Sequence, residues 1–215
     1  MNDIAIIYDL DETILSDSTL PDSAFEPLKE ALRKANQGTV PEDDLEKALA
    51  EIKWTAIDVL SKKYGFSEEM NEAAKEVQCN TAYHFELSPF KDYEVIKEIK
   101  GLKILVTSGV VNIQQAKIAA LGIEHDFDEV IIDDLYKKNR PGKKEIFSGI
   151  AEKYKLKPAQ VWIIGDNPDA EINAGNELGM VTVLRLNPGA AASDKATYTI
   201  TSFYDLQKLV ENSSS

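Results

Sequence analysis

The chain has 215 residues, 43% of them hydrophobic and 28% charged, which is enough to bury a sizeable core and too apolar for a disordered polypeptide. Acidic residues outnumber basic ones 37 to 24, and the formal net charge of −13 would repel nucleic acid and anionic lipid, so neither nucleic acid nor a membrane is expected as a partner. The single cysteine, Cys79, excludes an internal disulfide and a multi-thiolate metal centre, so a metal would have to be held by oxygen.

The opening Met1-Asn2-Asp3-Ile4 lacks the basic-then-apolar layout of a signal peptide, and no apolar run reaches the roughly 18 residues of a membrane span. A cytoplasmic protein is the expectation, and the sequence does not specify an oligomeric state. In chain order, the first apolar run is Ile4-Ala5-Ile6-Ile7-Tyr8. Four more follow: Lys103-Ile104-Leu105-Val106, Val130-Ile131-Ile132, Val161-Trp162-Ile163-Ile164 and Met180-Val181-Thr182-Val183-Leu184. Each is short, β-branched and nearly continuous, as parallel strands covered on both faces are. Helical stretches at about 111–121, 143–155 and 169–178 separate the last four, with Gly122 and Gly179 as stop signals. A weaker strand over 196–199 and a helix over about 202–211 complete the series, and the tail 212–215 is expected to fray. This alternation argues an α/β fold with a Rossmann-like open parallel sheet.

One connection breaks the rule. Between Thr13 and Thr107 lie 93 residues, where a crossover needs only about a dozen. The excursion reads as helical. Phe25, Leu28, Ala31, Leu32 and Ala35 share one face; Leu45, Leu49, Ile52, Ala56 and Leu60 predict one long amphipathic helix begun near Pro41. Ser67-Glu68-Glu69 opens another, running to about Tyr83, and Pro89 precedes a helix of the main body over about 91–100. The expected division is an α/β core of residues 1–15 and 87–212 with an inserted all-helical unit at 16–86.

In an open parallel sheet, function collects at the carboxyl ends of the strands. The first strand ends in Asp9-Leu10-Asp11-Glu12-Thr13, where alternation would put Asp9 and Asp11 on one side if the chain stays extended. Two close carboxylates suit a divalent cation, or a nucleophile beside a general acid/base, although for that segment alone an Asx-turn with solvated acids is the commoner reading. The second strand ends in Thr107-Ser108-Gly109, a place for an anion or merely for a helix cap. Arg140-Pro141-Gly142-Lys143-Lys144 precedes the next core helix, and the helical phase sets Lys143 on the face of Phe147 and Lys144 about 100° away. The fourth strand ends in Gly165-Asp166, with Glu171 five positions on. Asp133 and Asp134, ending the third strand, read as solvated acids, and Tyr83-His84-Phe85 as packing.

Taken together and in this order, these residues resemble the four motifs of the haloacid dehalogenase-like hydrolase superfamily, and the long insert after the first motif is similar to its helical C1-type cap. The resemblance implies a Mg²⁺-dependent phosphatase acting on a small phosphorylated metabolite through an aspartyl-phosphate. It implies Asp9 as nucleophile and Asp11 as acid/base. Thr107, Ser108 and Lys143 would hold the phosphate, and Asp9, Asp11 through its carbonyl, Asp166 and Glu171 would hold the metal. The family pattern usually has Asp where Glu171 stands. A phosphomutase and a 2-haloacid dehalogenase share the fold, the latter needing neither an acid/base at Asp11 nor a metal, and a phospho-receiver-like module would have no use for the insert.

Overall fold

The computed structural model describes residues 4–213. Six strands form one sheet: β1 (Ala5–Tyr8), β2 (Leu102–Gly109), β3 (Glu129–Asp134), β4 (Val161–Gly165), β5 (Val181–Arg185) and β6 (Tyr198–Ile200). Their spatial order is β3-β2-β1-β4-β5-β6, every neighbouring pair is parallel, and β1 lies in the middle. The α/β open-sheet fold expected from the apolar runs is the fold observed.

Successive strand residues point to opposite faces, and the two faces bury different partners. Ile6, Tyr8, Leu105 and Ile164 belong to one core with Ile96 of α5 (Val95–Glu98), Ile118 of α6 (Val111–Leu121), and Phe203 and Leu206 of α9 (Phe203–Ser213). Ile7, Ile104, Val106 and Ile163 form the other with Phe147 and Ile150 of α7 (Gly142–Lys153) and Ala174 of α8 (Glu171–Glu177). Covering both faces explains why the strands are apolar throughout rather than alternating.

The excursion after β1 holds α1 (Glu26–Ala35), α2 (Glu42–Glu51), α3 (Ile57–Tyr64) and α4 (Glu68–Asn80). These helices have a core of their own, in which Leu28, Leu32, Leu45, Leu49, Leu60 and Met70 meet. Ser67 Oγ caps α4 by accepting the Met70 N–H at 3.2 Å. The two linkers joining the insert to the sheet touch, the Phe90 N–H donating to the Ile14 carbonyl at 2.8 Å.

Several boundaries differ from the sequence expectation. The long helix expected from Pro41 onward is two, α2 and α3, separated by the turn Ile52–Ala56, although the apolar positions stay in phase across the break. The last insert helix stops at Asn80, because Thr81 turns extended and its hydroxyl donates to the Val77 carbonyl at 2.7 Å. Residues 91–94 are turns, leaving only the short α5 of the helix expected over 91–100. Asn212 and Ser213 belong to α9 rather than a frayed tail, while Met1 to Asp3, Ser214 and Ser215 lie outside the described residues. Among the described residues no helix is long and apolar enough to cross a membrane.

Leu32 is fully buried at the centre of the insert's core. Leu32→Ala should cost about 2–5 kcal/mol of stability, the range for such a truncation in a core that relaxes only partly. Denaturant unfolding of the variant, followed by circular dichroism, checks this.

Candidate active site

Asp9 is the first residue beyond β1, and its N–H donates to the Ile164 carbonyl of β4 at 2.9 Å, which fixes its backbone to the sheet. Pairing of Tyr8 with Leu105 and with Ile164 brings the ends of β2 and β4 alongside, so Thr107 and Asp166 flank Asp9. Beyond Asp9 the chain does not stay extended. The N–H groups of Thr13, Ile14 and Leu15 all donate to the Leu10 carbonyl, closing a tight turn in which Glu12 takes the left-handed conformation (φ 52°). A non-glycine residue there is held by its own side chain: Glu12 Oε1 accepts the Asp17 N–H at 2.7 Å and the Ser16 hydroxyl at 3.3 Å. Asn187, after β5, donates to the Glu12 carbonyl at 2.6 Å.

That turn sends Asp9 and Asp11 to different partners. The Lys143 Nζ from the first turn of α7 lies 2.7 Å from Asp9 Oδ1 and also hydrogen-bonds Glu171 Oε1. Asp9, Asp166 and Glu171 bring one carboxylate oxygen each within 4.8 Å of one another. Glycine at 165 is required by this fold-back, since a Cβ there would stand 2.7 Å from Glu171 Cγ. The Asp11 carboxylate lies outside the trio. Its Oδ1 receives Lys117 Nζ at 2.6 Å and its Oδ2 receives Gln114 Nε2 at 2.8 Å, so residue 11 has only its main-chain carbonyl left for a metal.

The trio passes the test for a small hard cation on chemistry and on satisfaction. Oxygen donors alone suit Mg²⁺, and Glu171 Oε2 is buried without a hydrogen-bond partner. The electrostatics agree. Burial pushes the Asp9 carboxyl well above its usual range, Lys143 opposing and the Glu171 and Asp11 charges adding. Burial, reinforced by Glu171, pushes Asp166 up to about 7. Burial works against the charge of Lys143, yet Asp9 and Glu171 hold its ammonium above the ordinary lysine range.

Other sequence expectations divide. Thr107 and Ser108 lie within β2, and Val110 takes the cap position of α6, so neither hydroxyl is a helix cap. Thr107 Oγ1 accepts from Gln114 Nε2 at 2.6 Å, and Ser108 Oγ donates to Asp133 Oδ2 at 3.1 Å. Asp133 is not a solvated acid: it is 2% exposed and also receives Arg140 Nε at 2.7 Å. Lys144 turns away to pair with Glu177 at 2.7 Å, as the helical phase predicts. The sequence reading missed Lys117, Gln114 and the role of Arg140. A signal existed for the first two, which lie three residues apart and so on one face of a helix that also carries Ile113, Ile118 and Leu121.

A cleft of about 590 Å³ opens above these residues, lined by Asp9, Asp11, Thr107, Lys143, Asp166 and Glu171, with Trp54 of the insert at its edge. A smaller cavity of about 170 Å³ adjoins it, walled by Asp11, Lys117, Phe25, Trp54, Tyr83 and Phe85. Tyr83 and Phe85 stack on each other with centroids 5.9 Å apart, so this segment both packs and faces the cavity.

The family profile described as haloacid dehalogenase-like hydrolase matches residues 6–184. The chain belongs to the haloacid dehalogenase-like hydrolase family. It is 30% identical over 197 residues to a glyceraldehyde 3-phosphate phosphatase of Methanopyrus kandleri, covering 83% of this chain and 82% of that protein. Among solved structures, a HAD phosphatase from Thermococcus onnurineus superposes with a TM-score of 0.64 at 23% identity, covering 96% of this chain and 97% of its own. The HAD-hydrolase YfnB from Bacillus subtilis, bound to magnesium, superposes with a TM-score of 0.60 at 17% identity, covering 97% and 98%. Both likenesses show that the fold is shared over nearly the whole chain.

The crowded acids have a consequence for stability. Asp166 titrates near 7 in the fold against an ordinary value of 3.8, so between those values the folded chain binds more protons than the unfolded one. Stability of the metal-free protein should therefore fall as pH rises from about 4 to about 7, with Asp9 adding to the slope. Melting temperatures in EDTA across that range check the sign, and Asp166→Asn should flatten the slope and raise the melting temperature at pH 8.

Proposed function

We propose that this haloacid dehalogenase-like hydrolase is a phosphatase that hydrolyses a small phosphomonoester through an aspartyl-phosphate on Asp9, with Mg²⁺ as cofactor. The observation that carries the reading is the pairing of a buried carboxylate, Asp9, with Lys143 at 2.7 Å inside a trio of acids that has one oxygen unsatisfied. The activity of the Methanopyrus kandleri relative supports the same reaction class and makes triose phosphates the first substrates to test.

The reaction divides one difficult displacement into two. An Asp9 carboxylate oxygen attacks phosphorus, the bond from phosphorus to the ester oxygen breaks, and the departing alkoxide takes a proton from Asp11. Water then attacks the aspartyl-phosphate and gives its proton to the Asp11 carboxylate, releasing inorganic phosphate and restoring Asp9. Thr107, the Ser108 N–H and Lys143 hold the non-bridging oxygens, where charge persists through a loose transition state. Asp9, Asp166, Glu171 and the Asp11 carbonyl would hold Mg²⁺, which supplies charge neutralisation between the attacking carboxylate and the phosphate. The helical insert serves as a cap, excluding water and contacting the leaving group. A 2-haloacid dehalogenase would leave the acid trio and the clamped Asp11 without a task.

Phosphate release from triose and other small phosphomonoesters should require Mg²⁺, disappear in EDTA and disappear in Asp9→Asn; full activity in either case would overturn the assignment. Lys143→Ala should lower kcat on the order of 10²–10³-fold, as losing one transition-state donor does, whereas Lys144→Ala should change it by less than about threefold. Steady-state assays of the two variants side by side at saturating Mg²⁺ make the comparison.

A further inference from the structure

Lys117 is 6% exposed and has no part in the reaction described above. It stands on the second turn of α6, among Ile113, Ile118 and Leu121, where an apolar residue would pack at no electrostatic cost. Instead, its ammonium is 2.6 Å from Asp11 Oδ1 and 3.6 Å from Asp17 Oδ1. One turn earlier on the same face, Gln114 donates to Asp11 Oδ2 and to Thr107 Oγ1, at 2.8 and 2.6 Å. Both oxygens of Asp11 are thus held from one helix.

We propose that Lys117 is a positioning residue: it clamps the Asp11 carboxylate in the orientation from which a proton is passed to the leaving group and taken from water. The proposal rests on the phosphatase reading. Asp11 sits in an irregular turn, and its side chain is a quarter exposed, so nothing in the backbone stops the carboxylate from rotating into solvent. A general acid must be within hydrogen-bond reach of the atom it protonates, and misplacement by about an ångström is costly. Gln114 alone holds one oxygen and leaves the group free to swing about it. Lys117 removes that freedom, and its charge keeps the anion left after the first proton transfer in place for the attacking water. Because the same ammonium also reaches Asp17, in the first turn of the insert, the clamp ties the acid/base to the entry of the cap.

A double-mutant cycle tests this. Lys117→Met, Asp11→Asn and the double variant are assayed with Mg²⁺ on an alkyl phosphate, whose leaving group needs a proton, and on 4-nitrophenyl phosphate, whose leaving group needs little. Lys117→Met should lower kcat on the alkyl ester on the order of 10²-fold with KM changed less than about threefold, and should cost about ten times less on the aryl ester. In the Asp11→Asn background the same change should alter kcat by less than about twofold, because the group it positions is gone. Equal losses on the two esters, a full loss in the Asp11→Asn background, or no loss at all would overturn the proposal. If circular dichroism shows Lys117→Met unfolded, the double variant, which leaves no lone carboxylate at position 11, decides through its comparison with Asp11→Asn. Absence of hydrolysis by the wild-type protein would instead bring down the phosphatase reading, and this proposal with it.

Discussion

Negative charge crowded at the ends of two adjacent strands is the constraint around which the molecule is built. Asp9 follows β1, and Asp166 and Glu171 follow β4, its neighbour, so three carboxylates meet where the sheet ends and α8 begins. Left alone, like charges at this spacing in a partly buried place would drive the strand ends apart or take up protons. One ammonium, Lys143, answers two of the three, and α7 must begin where it does to deliver it. The remaining deficit of positive charge leaves a set of oxygen donors whose chemistry suits a small hard cation. The unsatisfied Glu171 oxygen is the local sign of that deficit.

A second charge system runs beside the first with ion pairs of its own, although the charge of Asp11 is still felt at Asp9. Asp11, Asp17, Lys117 and Gln114 lie on the β2 and α6 side of the turn, while Asp9, Asp166, Glu171 and Lys143 lie on the β4 and α8 side. The turn at Leu10 is the partition. Two aspartates only two positions apart in sequence therefore have different counter-ions, Lys143 for Asp9 and Lys117 for Asp11. Asp133 and Arg140 make a third, smaller set that holds the Ser108 hydroxyl at the end of β2.

Much of this was legible in the sequence, for identifiable reasons. Strands buried on both faces leave continuous apolar runs, and a residue at the end of such a run must sit at the edge of the sheet, which located Asp9, Thr107 and Asp166. The helical phase against Phe147 separated Lys143 from Lys144. What periodicity could not show was the break between α2 and α3, because Leu45, Leu49, Ile52, Ala56 and Leu60 keep helical spacing through a turn that contains neither Gly nor Pro. Asp133 reads as solvated because adjacent acids that close an apolar run usually face water; here β3 continues to Asp134, and Asp133 is buried against Arg140 and Ser108, partners that only the fold brings to it. Lys117 was missed because a lone lysine on a helix is solvated in most proteins, and only the position of Asp11 in space tells otherwise.

The hydrogen bond between Phe90 and Ile14 has a consequence for how such a protein can change. The 75 residues between them leave the sheet and return to the same point, so for the core they amount to a loop whose ends are already closed by a short contact. The entropy of closing a loop grows only with the logarithm of its length, and doubling it costs about 0.6 kcal/mol more. The sheet and the residues at its strand ends are therefore nearly indifferent to how large the excursion is or what it contains. New helices can be fitted over old chemistry at this junction with little thermodynamic resistance, which makes it the cheapest place in the chain to alter what the cleft admits.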